Sequence, residues 1–473
     1  MRNLPQAILQ IAVGTGLVLA ILWTWFHPGR FSNIQLLGGI LFVELLFVFV
    51  WHYERYFFAV VMISFLWAGT MLPLQDGFNI VRWILLGIGA VVGCIIWMKS
   101  SFRSFSPFHM IAAFCVLSAA ASSVVSAYPG ISLAKTGSLF LLFLYGSSGL
   151  RLAVHGREER FFQKLLLVLE ILVYLSALAY FVFGIRLYGN PNSLGAIMGI
   201  GVFPVLLWAF LVGQKTVRVR RGVALLVCVG LLLFSVTRAA MLASAVVGLV
   251  LCLSLREYKL LFKTGIGFVC ILSLVAILAP SYFEQKTVEF KNDVFYKGHI
   301  DQGVLGSRQS PWDRAATEIR DHPFFGSGFG TSPTGEDPGL VLGRFHSTSE
   351  LSREHGSSYL AISEWVGLLG LLPFIALFVA LGVNTWKTCA WMMNSRNARH
   401  YSIPLAMVVI AGLVHAGFED WLFAVGSYLS VYFWCLAFIL ADLVPQRTAV
   451  HSVAAAQAVP TWPYPLQAAA SKR

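Results

Sequence analysis

Long apolar runs dominate this chain and leave few options for its fold. Apolar residues make up 58% of the 473 residues and charged residues only 12%, about half of the roughly 25% that is typical of soluble domains. Many of the runs are about 18–22 residues long, the length that an α-helix needs to cross a hydrocarbon core of roughly 30 Å. A membrane β-barrel would show shorter segments of alternating polarity instead. The sequence therefore predicts an all-α, polytopic membrane protein.

The runs define about fourteen candidate crossings. Two of them are open to being merged or re-entrant, which gives a predicted range of about 12–14 transmembrane helices. The run at 357–386 is long enough to include an interfacial turn. The candidate crossings are 7–26, 34–51, 57–73, 80–98, 108–126, 133–153, 161–183, 191–212, 222–236, 239–254, 262–279, 357–386, 402–416 and 422–442.

The distribution of cations predicts how the chain crosses the membrane. With the N-terminus inside, most of the 34 lysines and arginines fall on the inner side in short connections. Cytoplasmic connections carry this excess in polytopic proteins. We therefore expect both termini in the cytoplasm and the polar loop 281–356 outside. The net charge of +12 is then a topology signal, because the charges punctuate apolar runs and form no single patch for nucleic acid.

Three regions follow from this pattern. Residues 1–180 are predicted to be N-terminal transmembrane helices, and residues 181–442 a second transmembrane region that includes the loop 281–356. The tail 443–473 is rich in Ala, Pro and Gln and is predicted to be disordered. The seven cysteines form no CxxC pair, and no HExxH or nucleotide-binding loop occurs, so the sequence favours no metal and no cofactor.

A few cations lie at the outer ends of apolar helices. Snorkelling to lipid headgroups explains such a residue in the ordinary case. Arg186 precedes a turn that contains Pro191 and opens a helix, which favours either an anion site or an ordinary capped turn. Arg238 lies between two apolar stretches, where a phosphate would satisfy its five donors well. The outer cations in short connections are Arg30, Arg82, Lys135, Arg186 and Arg238.

The loop 281–356 contains one predicted helix. Trp312, Ala315 and Ile319 recur at helical spacing, and the His322–Pro323 pair ends the pattern. We expect a short amphipathic helix here. The glycines that follow, at 326, 328 and 330, predict a flexible loop, since no strand precedes them as a nucleotide fingerprint would require.

The end of this loop carries the strongest candidate for proton transfer. His355 comes just before the next apolar run, and a histidine at such an interface is either a general base or a hydrogen-bonded surface residue. His346 is a weaker second candidate. Tyr359, Glu419 and Asp420 are possible supporting residues, because the two carboxylates lie in a very short outer turn where they can orient a histidine or pair an arginine.

Several of these pieces occur in a recognisable order. An arginine before an Asn-Pro-Asn turn is followed by S-x-[ST]-R ending at Arg238, by DHPFFGSGFG at 321–330, by H-x-S-x-Y-L starting at His355, and by E-x-x-G-x-x-G starting at Glu364. Over roughly residues 180–430 this order resembles the O-antigen ligase/polymerase superfamily, the GT-C-type membrane glycosyltransferases that share the Wzy_C domain. One position departs from the pattern, because Gly356 follows the histidine where family members often have Asn.

The resemblance implies a reaction and roles for individual residues. The enzyme would act on the periplasmic face of the bacterial inner membrane, on a glycan carried by a polyprenyl diphosphate, without metal or cofactor. Arg186 and Arg238 would hold the diphosphate, with Lys135 and Arg82 as second-rank candidates. His355 would take the proton from the acceptor hydroxyl, and direct displacement would invert the anomeric carbon.

Alternatives remain open at this point. A ligase transfers a finished polysaccharide to lipid A–core, whereas an O-antigen or exopolysaccharide polymerase joins lipid-linked repeat units. The residues do not decide between these two acceptors, and the ligase is the preferred interpretation. A lipid-linked glycan transporter or flippase is a different class, whose signs are internal repeats and charges within helices. The sequence shows no repeat, and Glu170 is a carboxylate placed well inside the predicted crossing 161–183.

Overall fold

The computed structural model describes residues 46, 57–71, 75–99, 105–185, 187–281, 284, 306–332, 354–395 and 397–445. Within these residues the regular structure is entirely helical, which confirms the predicted all-α class. The first predicted crossing and, apart from Leu46, the second lie outside the described residues, as does the tail beyond residue 445.

Every predicted crossing from residue 57 onward coincides with a helix or with consecutive helices. Among the described residues, six helices are long and apolar enough to span a membrane, and shorter apolar helices accompany them. The helices are α1 (Phe57–Ala68), α2 (Gln75–Lys99), α3 (Pro107–Val124), α4 (Pro129–Ser147), α5 (Gly149–Val154), α6 (Glu158–Ala177), α7 (Pro191–Ala196), α8 (Phe203–Val212), α9 (Lys215–Phe234), α10 (Arg238–Ser254), α11 (Tyr258–Leu278), α12 (Gly306–Asp321), α13 (Ser358–Ser395), α14 (Ser402–Ala416) and α15 (Tyr428–Leu443). A π-helical turn extends α6 over Leu178–Val182, and another joins α7 to α8 over Ile197–Val202.

Helix α15 lies at the centre of the bundle. It is apolar all round, and nearly all its residues are buried, as expected of a helix enclosed by other helices. Phe438 packs against Phe108 of α3 and Phe143 of α4, with ring centroids 5.1 and 5.5 Å apart. The last described helix and the early helices therefore share one core.

Helix α13 is broken near its N-terminal end. Gly367 has φ 64° and ψ −179°, a conformation that is essentially restricted to glycine. Beyond the break, the N–H of Leu368 donates to the Pro323 carbonyl (2.8 Å) and that of Leu369 to the Phe324 carbonyl (3.2 Å). Polar backbone groups inside a bundle need such partners, and the segment that follows α12 supplies them at this break.

The segment 323–332, which we call the glycine loop, returns hydrogen bonds to α13. Its amides at Ser327 and Gly328 donate to the carbonyls of Glu364 and Trp365 at 3.0 and 3.1 Å. A Cβ on Gly326 would lie 2.4 Å from the Glu364 carbonyl oxygen. The segment is a loop, as predicted, but residues 326–332 are buried. This packing differs from the flexible loop that its glycines suggested.

The helix predicted in the loop 281–356 is present as α12. It begins at Gly306, earlier than the sequence pattern indicated, and ends at Asp321, just before His322. Ala315 is fully buried, and the indole Nε1 of Trp312 donates to the Gly356 carbonyl at 3.3 Å. The apolar side of α12 therefore packs against the chain next to His355.

The break in α13 can be tested by adding a methyl group to Gly367. Alanine there would adopt an unfavourable backbone conformation and bring its Cβ to 2.5 Å from backbone atoms of Phe324 and Gly326. We expect Gly367→Ala to cost about 1–3 kcal/mol of stability from backbone strain alone, measured as a lower Tm in detergent. Gly382→Ala is the matched control in the same helix, because its Cβ would have no neighbour within 4 Å. An unchanged Tm for Gly367→Ala would contradict this account of the break.

Candidate active site

His355 lies immediately before α13 and is completely buried. Its ring Nδ1 is 3.1 Å from Oδ2 of Asp420, and its backbone N–H donates to the same oxygen at 2.9 Å. Asp420 belongs to the short connection between α14 and α15. A single carboxylate therefore fixes both the main chain and the ring of His355, as the sequence reasoning allowed for Asp420.

The other ring nitrogen of His355 faces two further side chains. Its Nε2 is 3.0 Å from Oγ of Ser332 and 3.3 Å from Oε1 of Glu364. The indole Nε1 of Trp365 donates to the same Ser332 oxygen at 3.2 Å, and the Trp365 ring meets the imidazole edge-on. Both nitrogens of the buried ring are thus held by polar groups, which fixes the orientation of the imidazole.

The charges around His355 favour its protonated form. Burial lowers the pKa of His355, but hydrogen bonds and negative charge from Asp420 and Glu364 raise it, and the net pKa lies above the ordinary 6.5. Burial raises the pKa of Asp420, but the hydrogen bonds and charge of His355 outweigh this and hold it below the ordinary 3.8. The Asp420 carboxylate and the imidazole therefore form an ion pair.

Arg308, on α12, links the two segments that carry this pair. Its side chain is largely buried and contacts Oε1 of Glu354 at 2.5 Å and Oε1 of Glu419. Glu354 precedes His355, and Glu419 precedes Asp420. Because one guanidinium contacts both preceding residues, it fixes the position of His355 relative to Asp420.

The backbone of Glu419 adds to this connection. Its carbonyl accepts from both the N–H and the hydroxyl of Ser358, at 3.0 and 2.6 Å. Glu419, predicted as a possible support for the histidine, thus acts through Arg308 with its carboxylate and through Ser358 with its backbone carbonyl. The phenol of Tyr359, another predicted support, donates to the Leu413 carbonyl at 2.7 Å and is committed to helix packing.

Arg238 is the first residue of α10. It follows the turn Ser235–Thr237, in which Val236 has φ 52°, a strained conformation for a β-branched residue. Arg238 lies within electrostatic range of Arg308. Since Arg308 contacts both neighbours of the histidine–aspartate pair, Arg238 and His355 belong to one end of the helix bundle.

The two turns singled out in the sequence lie side by side. Thr237 Oγ1 donates to the Pro191 carbonyl at 3.4 Å, and a Cβ on Gly195 would collide with the Thr237 side chain. Asn190 caps α7 by accepting from the Asn192 N–H at 2.9 Å. Arg186 lies outside the described residues, so its placement relative to Arg238 stays a prediction. His346 also lies outside them.

The two second-rank cations contact the loops around the site. Lys135 donates through Nζ to the Gly330 carbonyl of the glycine loop. Arg82 donates to the Gly426 carbonyl at 2.7 Å and lies over the ring of Trp83. Both side chains are engaged with protein backbone. Through these contacts the two side chains support the loops around the site.

Sequence reasoning missed several members of this site. Arg308 stands in the long polar loop among other charges, and nothing local marks it as buried. Ser332 follows the glycines without a motif of its own. Glu364 opens the E-x-x-G-x-x-G pattern, and that position was the one signal that pointed to it.

The arrangement is suited to proton transfer. An imidazole oriented by a carboxylate on Nδ1, with a hydroxyl at hydrogen-bond distance from Nε2, is the geometry of a general base. Among the described residues, no group of three or more His, Cys, Asp or Glu side chains has the geometry to hold a metal ion.

Comparison with known proteins adds an independent observation. A search of the curated proteins gave no match. Residues 223–375 match the Wzy_C family model, described as O-antigen ligase. This range contains Arg238, Arg308, the glycine loop, His355 and Glu364. The chain therefore carries, in residues 223–375, a domain that matches the Wzy_C family of O-antigen ligases.

Proposed function

We propose that this protein is a membrane glycosyltransferase of the ligase type. It moves a glycan from a polyprenyl diphosphate donor to an acceptor hydroxyl at the outer face of the membrane. The observation that carries the proposal is the buried His355–Asp420 pair, which lies at the same end of the bundle as Arg238. His355 and Arg238 both lie within the segment that matches the O-antigen ligase family.

The donor leaves as an anion, and fixed positive charge favours that step. As the bond between the anomeric carbon and the diphosphate breaks, negative charge develops on the diphosphate oxygens. Arg238 at the start of α10 supplies a guanidinium beside a helix N-terminus, and both stabilise such charge. We assign the second cation to Arg186. Arginine side chains then take the part that a metal ion plays in many other transferases.

The acceptor is a sugar hydroxyl, which loses its proton only at high pH unless a base is close. Ser332 Oγ, 3.0 Å from Nε2 of His355, marks where a hydroxyl fits against the imidazole. The acceptor hydroxyl takes that position, His355 accepts its proton, and Asp420 stabilises the imidazolium. Attack by the acceptor oxygen on the face opposite the diphosphate inverts the anomeric carbon in one step.

The placement of the reaction follows from topology. The excess of Lys and Arg in the connections on the N-terminal side assigns that side to the cytoplasm. The connection that carries Asp420 and the loop that carries His355 then lie on the periplasmic side of a bacterial inner membrane. A donor and an acceptor that are both lipid-linked would meet there at membrane depth.

Two other functions are distinguished by substrate and product. A polymerase would use the same site with a second lipid-linked repeat unit as acceptor, whereas we favour lipid A–core. A transporter would be indicated by a charged residue that acts within a membrane-spanning helix, and Glu170 is such a candidate. Glu170 is paired with Arg220 at 3.0 Å, which accounts for it as a structural ion pair.

Replacing Arg238 tests the diphosphate site. We expect Arg238→Ala to lower transfer by about 10²–10³-fold, the loss seen when one preorganised donor to developing charge is removed. Arg238→Lys should recover only part of this, because an ammonium lacks the bidentate fork. Arg314→Ala, at an exposed cation of α12, is the control and should keep wild-type transfer. Full activity of the lysine variant would argue against a diphosphate clamp.

Replacing His355 tests the general base. His355→Ala should lower turnover by about 10²–10⁴-fold but leave binding of the lipid-linked donor intact, because the donor contacts lie on the arginines. Turnover and donor binding would be measured separately on purified protein in nanodiscs. His155→Ala, at an exposed histidine outside the site, is the control. Wild-type turnover in His355→Ala would rule out the base role.

One assay separates the candidate functions. Purified protein receives lipid-linked glycan and two acceptors, lipid A–core and a second lipid-linked repeat unit, with EDTA present throughout. We expect extension of lipid A–core and release of polyprenyl diphosphate despite the chelator. Extension of the repeat unit alone would assign a polymerase, and activity restored only by a divalent ion would refute the metal-free mechanism. In sealed vesicles, movement of intact donor across the bilayer without transfer would identify a transporter.

A further inference from the structure

Glu364 is a completely buried carboxylic side chain that the mechanism above does not use. It lies just before the break in α13, and its backbone carbonyl is held by the amide of Ser327. Its Oε1 is 3.3 Å from Nε2 of His355. The break in the helix thus fixes the carboxyl group against the nitrogen that faces the acceptor position.

His355 is therefore flanked by two carboxyl groups. Asp420 faces Nδ1 from the α14–α15 connection, and Glu364 faces Nε2 from α13. Ser332, from the glycine loop, and Trp365 are the uncharged neighbours. The guanidinium of Arg308 contacts the carboxylates of Glu354 and Glu419, which precede His355 and Asp420 in the sequence.

This arrangement poses a problem for a base. Two ionised carboxylates around a neutral buried imidazole would leave two close negative charges with no positive charge between them, which is costly away from water. A proton on the ring relieves that cost, but a ring that carries protons on both nitrogens cannot accept another. The proton on Nε2 must therefore have a second place to go while the acceptor binds. The nearest titratable atom on that side is Oε1 of Glu364.

We propose that Glu364 is a positioning residue that shares one proton with Nε2 of His355 and so frees that nitrogen for the acceptor hydroxyl. This inference rests on the proposed function. The proton moves from Nε2 to Oε1 as the acceptor hydroxyl replaces Ser332 at the ring. Nε2 then takes the acceptor proton while the new carbon–oxygen bond forms and the diphosphate departs with its electron pair. Release of one proton to water restores the shared proton.

The proposal predicts how the pH dependence of transfer responds to Glu364. In the wild type, Glu364 receives the Nε2 proton when the acceptor binds, so transfer should continue at a pH where His355 is protonated in the free enzyme. In Glu364→Gln the amide cannot receive that proton, so transfer requires a ring that has already lost it to water. We therefore expect the acidic limb of kcat/KM to move to higher pH in Glu364→Gln. The maximal kcat should fall as well, because without the Glu364 charge the imidazole is a weaker base.

The experiment compares three variants with the wild type. Glu364→Gln should shift the limb and lower kcat. Glu364→Asp should keep the limb near its wild-type position while lowering kcat, because the charge remains and only its distance changes. Asp313→Asn, which removes an exposed carboxylate on α12, should leave both unchanged. An acidic limb in Glu364→Gln that stays in place or moves to lower pH would overturn the proposal, as would an equal shift in Asp313→Asn.

A second readout does not need activity. In protein with ¹⁵N-labelled histidine, the His355 signal, assigned by its loss in His355→Ala, should titrate at lower pH in Glu364→Gln than in the wild type. An unchanged titration overturns the proposal. If His355→Ala keeps wild-type turnover, the proposed function fails. If that variant is inactive but Glu364→Gln behaves as wild type, only the role of Glu364 fails. Should Glu364→Gln fail to fold, Glu364→Asp decides, and a limb shifted as far as predicted for the amide would overturn the proposal.

Discussion

The exchange of backbone hydrogen bonds between the broken helix α13 and the glycine loop is the interaction on which the site depends. A helix that stops inside a bundle must give its backbone groups new partners. Here the amides after Gly367 bond to the carbonyls of Pro323 and Phe324, and the carbonyls before it accept from the glycine loop. This one exchange positions Ser332, Glu364 and Trp365 around the same face of the imidazole.

Electrostatics explains why the same place is suited to acid–base chemistry. The site combines one imidazole, two carboxyl groups at its nitrogens and a largely buried guanidinium that binds the neighbouring carboxylates. Each charged group lies beside a group that can carry the opposite charge, so none of them bears the full free-energy cost of burying an unpaired charge. The arginine at the start of α10 adds positive charge nearby, where an anionic leaving group would be received. The start of α10 supplies the cation Arg238, and the segment before α13 supplies the proton acceptor His355. The two roles therefore come from the ends of two different helices.

Much of the fold could be predicted from the sequence, because the hydropathy of a spanning helix is a property of consecutive residues. The crossings at 402–416 and 191–212 match their helices to within a residue at each end. The site was predictable where residues stand beside helix ends, as with His355, Asp420 and Arg238. Arg308 was not, since its partners lie 46 and 111 positions away. The burial of the glycine loop likewise depends on a surface formed by α13 and α4, which no local pattern encodes.

The contacts of Lys135 and Arg82 carry a consequence for how such chains diversify. Both residues come from the early helices, and both hold carbonyls of loops that bear the proposed chemistry of the later helices. If the early helices were exchanged between two relatives, Lys135 and Arg82 would be separated from the loops whose carbonyls they bind. Recombination that respects this architecture would have to move the two residues and their loops together, so the two halves of the chain are expected to change as one inherited unit.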